Sequence, residues 1–437
     1  MSAYLLIYTP KLTSRVKYIF SLFFESLITT SYKITTDITE FNAYSGPRLN
    51  YSEGIITDKE IFIHSTDLLF ASGIHLQNIT VSDWDGLKIF YQTPDGSLPF
   101  DLFAAAFYMV SRYEEYLPYE TDKHNRFHHG SSLAFKNHFL NVPIVNLWAE
   151  KLKSVLLKAY PEIAFRENTY SFIPTVDIDI AYAHLGRDFT LTMGSFLKAI
   201  SKFQFNVVAE KIAVLLHLKK DPYDTFDYQE SLFEKYKLHP IYFFLAGKRG
   251  SNDKNISPDS IAFKRLAKKL NVFSEIGIHP SYQSESNPEI VSGEMKKVER
   301  VISTKITSSR QHFLRLRLPE TYRCLAELGI TDDYTMIFAG VPGFRAGICT
   351  PFLFYDLQAD NVLQIKVHSS AVMDGTMKDY LNLSVEDATK ITKELISIVR
   401  KCKGEFIVIW HNDNLSETRQ WKGWRAYFEN ILKEASE

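Results

Sequence analysis

Tyr170-Ser-Phe-Ile-Pro-Thr-Val-Asp-Ile-Asp-Ile-Ala-Tyr182 is a short apolar run that ends in two carboxylates, Asp177 and Asp179. Phe172, Ile173, Val176, Ile178 and Ile180 are β-favouring and water-avoiding, the composition of a strand covered on both faces inside a parallel sheet. Burying an unpaired carboxylate costs several kcal/mol, so an Asp-x-Asp in such a run belongs at the sheet rim, where it is paired, hydrogen-bonded or holding a metal ion. The plain alternative is a strand followed by an Asp-rich turn.

The flanking sequence supports a sheet. Pro240 to Ala246 reads as strand, Ser257 to Leu270 as helix, Val272 to Ile278 as strand and Pro288 to Ile302 as helix. That βαβα rhythm predicts a parallel sheet, open or closed into a barrel. Between them, 186–236 is largely helical by periodicity, and the Pro and Asp residues of Lys220-Asp-Pro-Tyr-Asp-Thr-Phe-Asp227 mark a turn. Upstream, residues 4–8 read as strand, and Leu12, Val16, Ile19, Phe20, Phe23 and Leu27 recur at helical spacing. Tyr32 to Thr36 and Leu49 to Tyr51 suggest further short strands, and Asp101 is the N-cap expected for a helix burying Leu102, Ala105, Ala106, Met109, Val110 and Tyr113. A helix follows from Val142 to about Tyr160. The domain boundary is placed near 165, with a smaller α/β domain over 1–164.

A net charge of -1 from 50 basic and 51 acidic residues gives no electrostatic reason to expect nucleic acid or anionic lipid as a partner. Aromatic residues make up 14% of the 437, enough to stack on sugar rings or simply to fill cores. Cys324, Cys349 and Cys402 show neither metal-type spacing nor a disulfide framework. The first thirty residues lack the order of a secretory signal, and Glu25 interrupts the best apolar stretch, so no membrane span and a cytoplasmic location are expected. Nothing in the sequence fixes the oligomeric state, and a homo-oligomer stays open.

In α/β folds reactive groups gather at the C-terminal ends of strands. His279 follows the strand ending at Ile278, Arg310-Gln-His312 follows the segment from Ile302, and His411-Asn-Asp413 follows Phe406 to Trp410. Imidazoles at three strand ends and an Asp-x-Asp at a fourth form a constellation suited to metal-assisted hydrolysis. The loop from Glu120 to His129, with His138, gathers four of the 13 histidines without ligand spacing and reads as solvated.

On these residues, 165–437 resembles the polysaccharide deacetylases, carbohydrate esterase family four, whose fold is a distorted (β/α) barrel. The resemblance implies Asp177 as catalytic base, Asp179 as metal ligand, Glu275-Ile-Gly-Ile-His279 as the second motif with His279 a ligand, Arg310 as the arginine that holds the base, His411 as general acid and Asp374 as the group orienting it. Trp410 and Asn412, which flank His411, are expected at the substrate. Phe100-Asp101, Ser111-Arg-Tyr-Glu-Glu115, Asp122 to Phe127 and Gly343-Phe-Arg-Ala-Gly347 resemble the N-terminal domain and a motif of a Bacteroidetes-type branch. Within the last, Arg345 either neutralises an anionic substrate group or forms a structural salt bridge.

The sequence departs from the pattern at Gln283, where the family places a second histidine. His312 then either completes an Asp179, His279, His312 site or faces substrate. The resemblance implies a divalent cation, Zn by its donors, and removal of acetyl groups from N-acetylated sugars or a glycan precursor. The other readings are a metal-poor glycan-binding protein and an allantoinase-like amide hydrolase.

Overall fold

The computed structural model describes residues 4–437. Its main feature is a curled nine-stranded sheet. The Ser171–Ile178 strand lies within it, pairing in parallel with Ile241–Leu245 on one side and Glu405–His411 on the other. Glu275–His279, Ser308–Ser309, Asp332–Met336 and Asn361–Ser369 continue the parallel order, Phe352–Asp356 is an antiparallel edge, and Val372–Met373 lies beyond Glu405–His411. The arrangement is mixed α/β, and the sheet is an open half-barrel rather than a closed one. Across the open side His368 bridges two strands, its Nδ1 2.8 Å from Glu405 and its Nε2 2.9 Å from Asp332.

Strand parity explains what faces inward. Side chains alternate across a strand, so residues two apart share a face. Ile173, Ile241, Phe243, Tyr334 and Ile407 form one inner apolar layer, and Leu314, Ile337, Ala339, Met373 and Ile409 another. Val176, Ile178, Tyr242, Phe244, Phe406, Val408 and Trp410 belong to the outer core beneath the helices. Asp177 therefore shares the inward face with Ile173 and Thr175, and the next inward position is Asp179. In register, His411 lies opposite Asp177 and His279 opposite Leu245, so these groups meet at the C-terminal rim.

The expected strand from Val272 begins only at Glu275, and the helix expected from Ser257 begins at Ile261, where the Ser260 hydroxyl accepts the N–H of Phe263. The region 186–236 forms three helices, Phe189–Ser201, Phe205–Leu215 and Phe226–Lys235. Upstream, four parallel strands are ordered Tyr32–Thr35, Leu5–Tyr8, Arg48–Ser52, Ile61–His64. The Leu102–Val110 helix is buried throughout, and its Asp101 cap accepts from Ala104 N–H, Thr66 N–H and the Tyr51 hydroxyl. One apolar core runs without a break from Leu5 to Ala435, and the N-terminal helices Ser14–Ser21 and Leu102–Val110 make the contact with the larger sheet, Tyr18 donating to the Leu353 carbonyl and Phe107 packing on Tyr355.

Candidate metal centre

The rim of the half-barrel encloses a cleft of about 280 Å³ lined by Asp177, Asp179, His279, His312 and His411. Donor atoms of Asp179, His279 and His312 lie within 4.8 Å of one another. Nδ1 of His279 lies 2.5 Å from the Arg310 carbonyl, an acceptor, so this nitrogen carries the proton and Nε2 presents a lone pair. That Nε2 stands 3.2 Å from Oδ1 of Asp179, yet Oδ1 is buried and makes no hydrogen bond. His312 repeats the pattern: Nδ1 is 2.8 Å from Asp253, and Nε2 is 3.2 Å from Oδ2 of Asp179. Acceptors converging on one point repel each other unless a cation or a proton lies between them. Burial alone would push His312 towards neutrality, but the carboxylates of Asp179 and Asp253 outweigh it and raise its pKa to about 9. Burial likewise opposes the charge on Asp179, and the two imidazoles reverse that and hold its carboxyl well below the usual range. The residues therefore fit a divalent ion, which takes the place of the His312 proton.

Asp177 is buried beside this set and held by a 2.8 Å bond from Arg310 to Oδ1. Arg310 is itself fixed by donating to Thr175 Oγ1 and the Tyr334 carbonyl and by stacking 4.5 Å over Phe243. His411 is aligned from the opposite wall, with Nδ1 2.8 Å from Asp374. Asp374 also accepts from the N–H groups of His411 and Gly375 and from Asn414. Burial favours neutral His411, but the Asp374 carboxylate prevails and raises its pKa well above the ordinary value. Asp413 also lines the cleft, and burial pushes its carboxyl up to about 7.

Three expected substrate contacts are placed elsewhere. Trp410 neighbours His411 in the strand and so points to the opposite face, where it packs on Tyr427 and Phe428. Asn412 is fully buried and donates to the carbonyls of Ile180, Ala181 and Tyr223, tying down the segment that leaves Asp179. Arg345 is the structural salt bridge of its two readings: buried, it donates to both oxygens of Glu115 from Nε and Nη2. Gln283 is exposed, away from the donor set, which His312 completes instead.

The structure adds residues that the sequence did not single out. Asp253 lies in the loop after the Ile241–Leu245 strand, and the strand-end rule that found the imidazoles reaches it once carboxylates are included. Arg126, from the N-terminal half, enters the cleft wall, salt-bridged to Asp122 and donating 2.6 Å to the Phe313 carbonyl. Phe313 and its neighbour Leu314 are both left-handed, at φ 59° and 54°, a strained pair that this contact helps to hold. Tyr380 and Asp379 complete that wall.

Residues 5–161 match the model of DUF7033, a family of unknown function. No curated protein matches the chain. Solved structures with a similar fold are described as polysaccharide deacetylases. One from Mycobacterium smegmatis is 15% identical with a TM-score of 0.40, covering 62% of this chain and 85% of that one. Another from Bacillus cereus is 11% identical with a TM-score of 0.29, covering 61% and 86%. A third from Pseudomonas aeruginosa PAO1 is 11% identical with a TM-score of 0.36, covering 61% and 83%. At those scores the likeness carries no chemistry, which has to come from the side chains.

Proposed function

We propose that the protein is a metal-dependent hydrolase that removes acetyl groups from an N-acetylated sugar or glycan precursor. The observation that carries this reading is the convergence of two imidazole lone pairs on the Asp179 carboxylate, beside an arginine-held Asp177 and an Asp374-held His411. Asp179, His279 and His312 would hold a divalent cation, Zn by its two imidazoles and one carboxylate, and such an ion supplies Lewis-acid polarisation of an acyl carbonyl. Asp177 accepts the proton of the attacking water. Arg310 fixes Oδ1 of that carboxylate, and its Oδ2 faces His279 at 3.7 Å. His411, kept protonated by Asp374, gives its proton to the amine as the C–N bond breaks, leaving acetate and a free amino group. Leu314, Ala339 and Met373, apolar and beside the donors, suit the acetyl methyl group.

Acetate release from N-acetylhexosamines and their oligomers, measured on metal-reconstituted protein, tests the reading. It is expected with the wild type and not with Asp177→Asn. Ring opening of cyclic ureides with no acetate release would replace the deacetylase reading by an amide hydrolase of the allantoinase kind. Glycan binding without any turnover would leave a binding protein.

A further inference from the structure

The Phe189–Ser201 and Phe205–Leu215 helices make a hairpin whose apolar side chains are left uncovered. Eleven of the 24 exposed large hydrophobic side chains among the described residues fall between Phe189 and Leu218, a density that scattered surface residues do not reach. Phe189, Met193, Leu197 and Ile200 form one stripe at helical spacing, and Phe205, Ile212 and Leu215 another. Phe203, 81% exposed, stands at the turn between them. Only Ala199, Lys211 and Val214 of the two helices are buried.

The charge on the same segment is one-sided. Arg187 to Lys220 carries six basic residues against Asp188 and Glu210; Lys219 pairs with Glu210, Lys220 with Asp227, and Lys211 is buried on the Ser195 carbonyl, whereas neither Lys198 nor Lys202 has an ion-pair partner among the described residues. At the root of the hairpin a cavity of about 440 Å³ is lined by Arg187, Lys248, Arg249 and Lys297, with Asp188 and Asp259 as its acids. Among the described residues Arg187 makes no ion pair there, and the buried Asn255 at the same wall leaves its side-chain oxygen unpartnered.

We propose that this hairpin docks the protein on an anionic lipid bilayer, its apolar stripes entering the headgroup boundary and its basic groups meeting lipid phosphates. Amphipathic helices with aromatic and aliphatic residues on one face and lysines on the other bind in this way. At 13 and 11 residues, the helices are about 20 and 16 Å long, too short to cross an apolar layer of about 30 Å. No helix among the described residues is long and apolar enough to span a membrane. A second copy of the chain fits the face less well, because a two-fold interface would set this patch, with its unpaired lysines, against a patch of the same sign. Asp221 pins the feet of the hairpin by accepting the N–H groups of Ala183, His184 and Leu185. Those feet leave the sheet directly after Asp179, so the root of the hairpin and the cleft lie at the same end of the half-barrel. Resting on the deacetylase reading, this geometry suits an acetylated sugar carried on a lipid.

Flotation of the metal-loaded protein with phosphatidylcholine vesicles, with and without phosphatidylglycerol, tests the docking. The wild type is expected to float with the anionic vesicles and to be released by added salt. Phe203→Ser with Phe205→Ser, and separately Lys198→Glu with Lys202→Glu, should each weaken binding at least ~10-fold, with metal content and circular dichroism unchanged. The proposal is overturned if the wild type stays in solution with anionic vesicles, or if both variants float as well as it does. A dimer in sedimentation that the Phe203 and Phe205 changes dissolve would equally overturn it, making the face a self-association surface. The readout involves no turnover, so failure of the deacetylase reading would leave its result standing.

Discussion

His312 can serve as a ligand only as the neutral imidazole, and Asp253 decides which nitrogen keeps the remaining proton. A carboxylate 2.8 Å from Nδ1 fixes the ring and raises the basicity of Nε2. Asp253→Asn keeps the shape but loses the charge, so metal affinity should fall about 10- to 100-fold with the fold intact. Titration against a chromophoric chelator measures this, and an unchanged affinity would remove Asp253 from the site. Asp177→Asn should behave oppositely, keeping stoichiometric metal while turnover falls by about 10²- to 10⁴-fold; loss of metal in that variant would make Asp177 a ligand rather than the base. The strand-end rule made Asp177, Asp179, His279, Arg310, His312 and His411 legible because a parallel sheet puts its strand ends together whatever their distance in sequence. Arg126 was not legible, since it arrives on a loop 187 residues before its Phe313 partner and no local pattern encodes that approach. Trp410 was misplaced by proximity in sequence, where strand parity already sends it to the opposite face from His411.

At the scale of elements, the half-barrel stays curled partly through His368, whose two nitrogens meet carboxylates from different strands. Both contacts are favourable only for the imidazolium. Burial opposes that charge, but Asp332 and Glu405 outweigh it and raise the pKa of His368 above the ordinary value. Because the folded-state value is raised, the contribution is fully present below the unfolded value of about 6.5 and is lost as pH rises through the folded one. The urea midpoint of the wild type should thus exceed that of His368→Gln most clearly near about pH 5.5, with the gap closing as pH rises above about 6.5. A gap independent of pH would mean that His368 acts by packing on Tyr334, against which it stacks at 4.4 Å. The helices of 186–236 were readable from periodicity, but their exposure was not. An apolar stripe shows that a helix has a face to bury, not what covers it. A chain-wide charge of -1 likewise conceals the excess of lysine on that hairpin.

At the scale of the molecule, the N-terminal half and the half-barrel are joined by a buried ionic knot as well as by the shared core. Glu115 accepts from Arg112 Nε at 2.7 Å and from both Nε and Nη2 of Arg345, and all three residues are almost wholly buried. Burial disfavours the carboxylate, but the guanidiniums of Arg345 and Arg112 more than compensate and hold its pKa below the usual range. The two partners are therefore not equivalent. Arg345→Met leaves Glu115 paired with Arg112, whereas Glu115→Gln strips the charge partner from two buried guanidiniums at once and leaves Arg112 with only Glu114. Breaking such a pair by removing one charge costs about 3–5 kcal/mol, because the other charge stays buried. Glu115→Gln should reach that range in urea unfolding and Arg345→Met should fall clearly below it. Equal losses in the two variants would show that the contact, and not the stranded charge, sets the cost. The same knot bears on whether residues 165–437 can stand alone. Without the N-terminal half, Arg345 keeps no carboxylate, Phe344 and Gly347 lose the cover of Leu140, Met109 and Ile144, and Phe313 loses Arg126. The isolated segment should accordingly be recovered aggregated or with weakened metal binding, as light scattering and chelator titration would register. A soluble fragment with wild-type metal affinity would instead make the N-terminal half an accessory to an independent half-barrel.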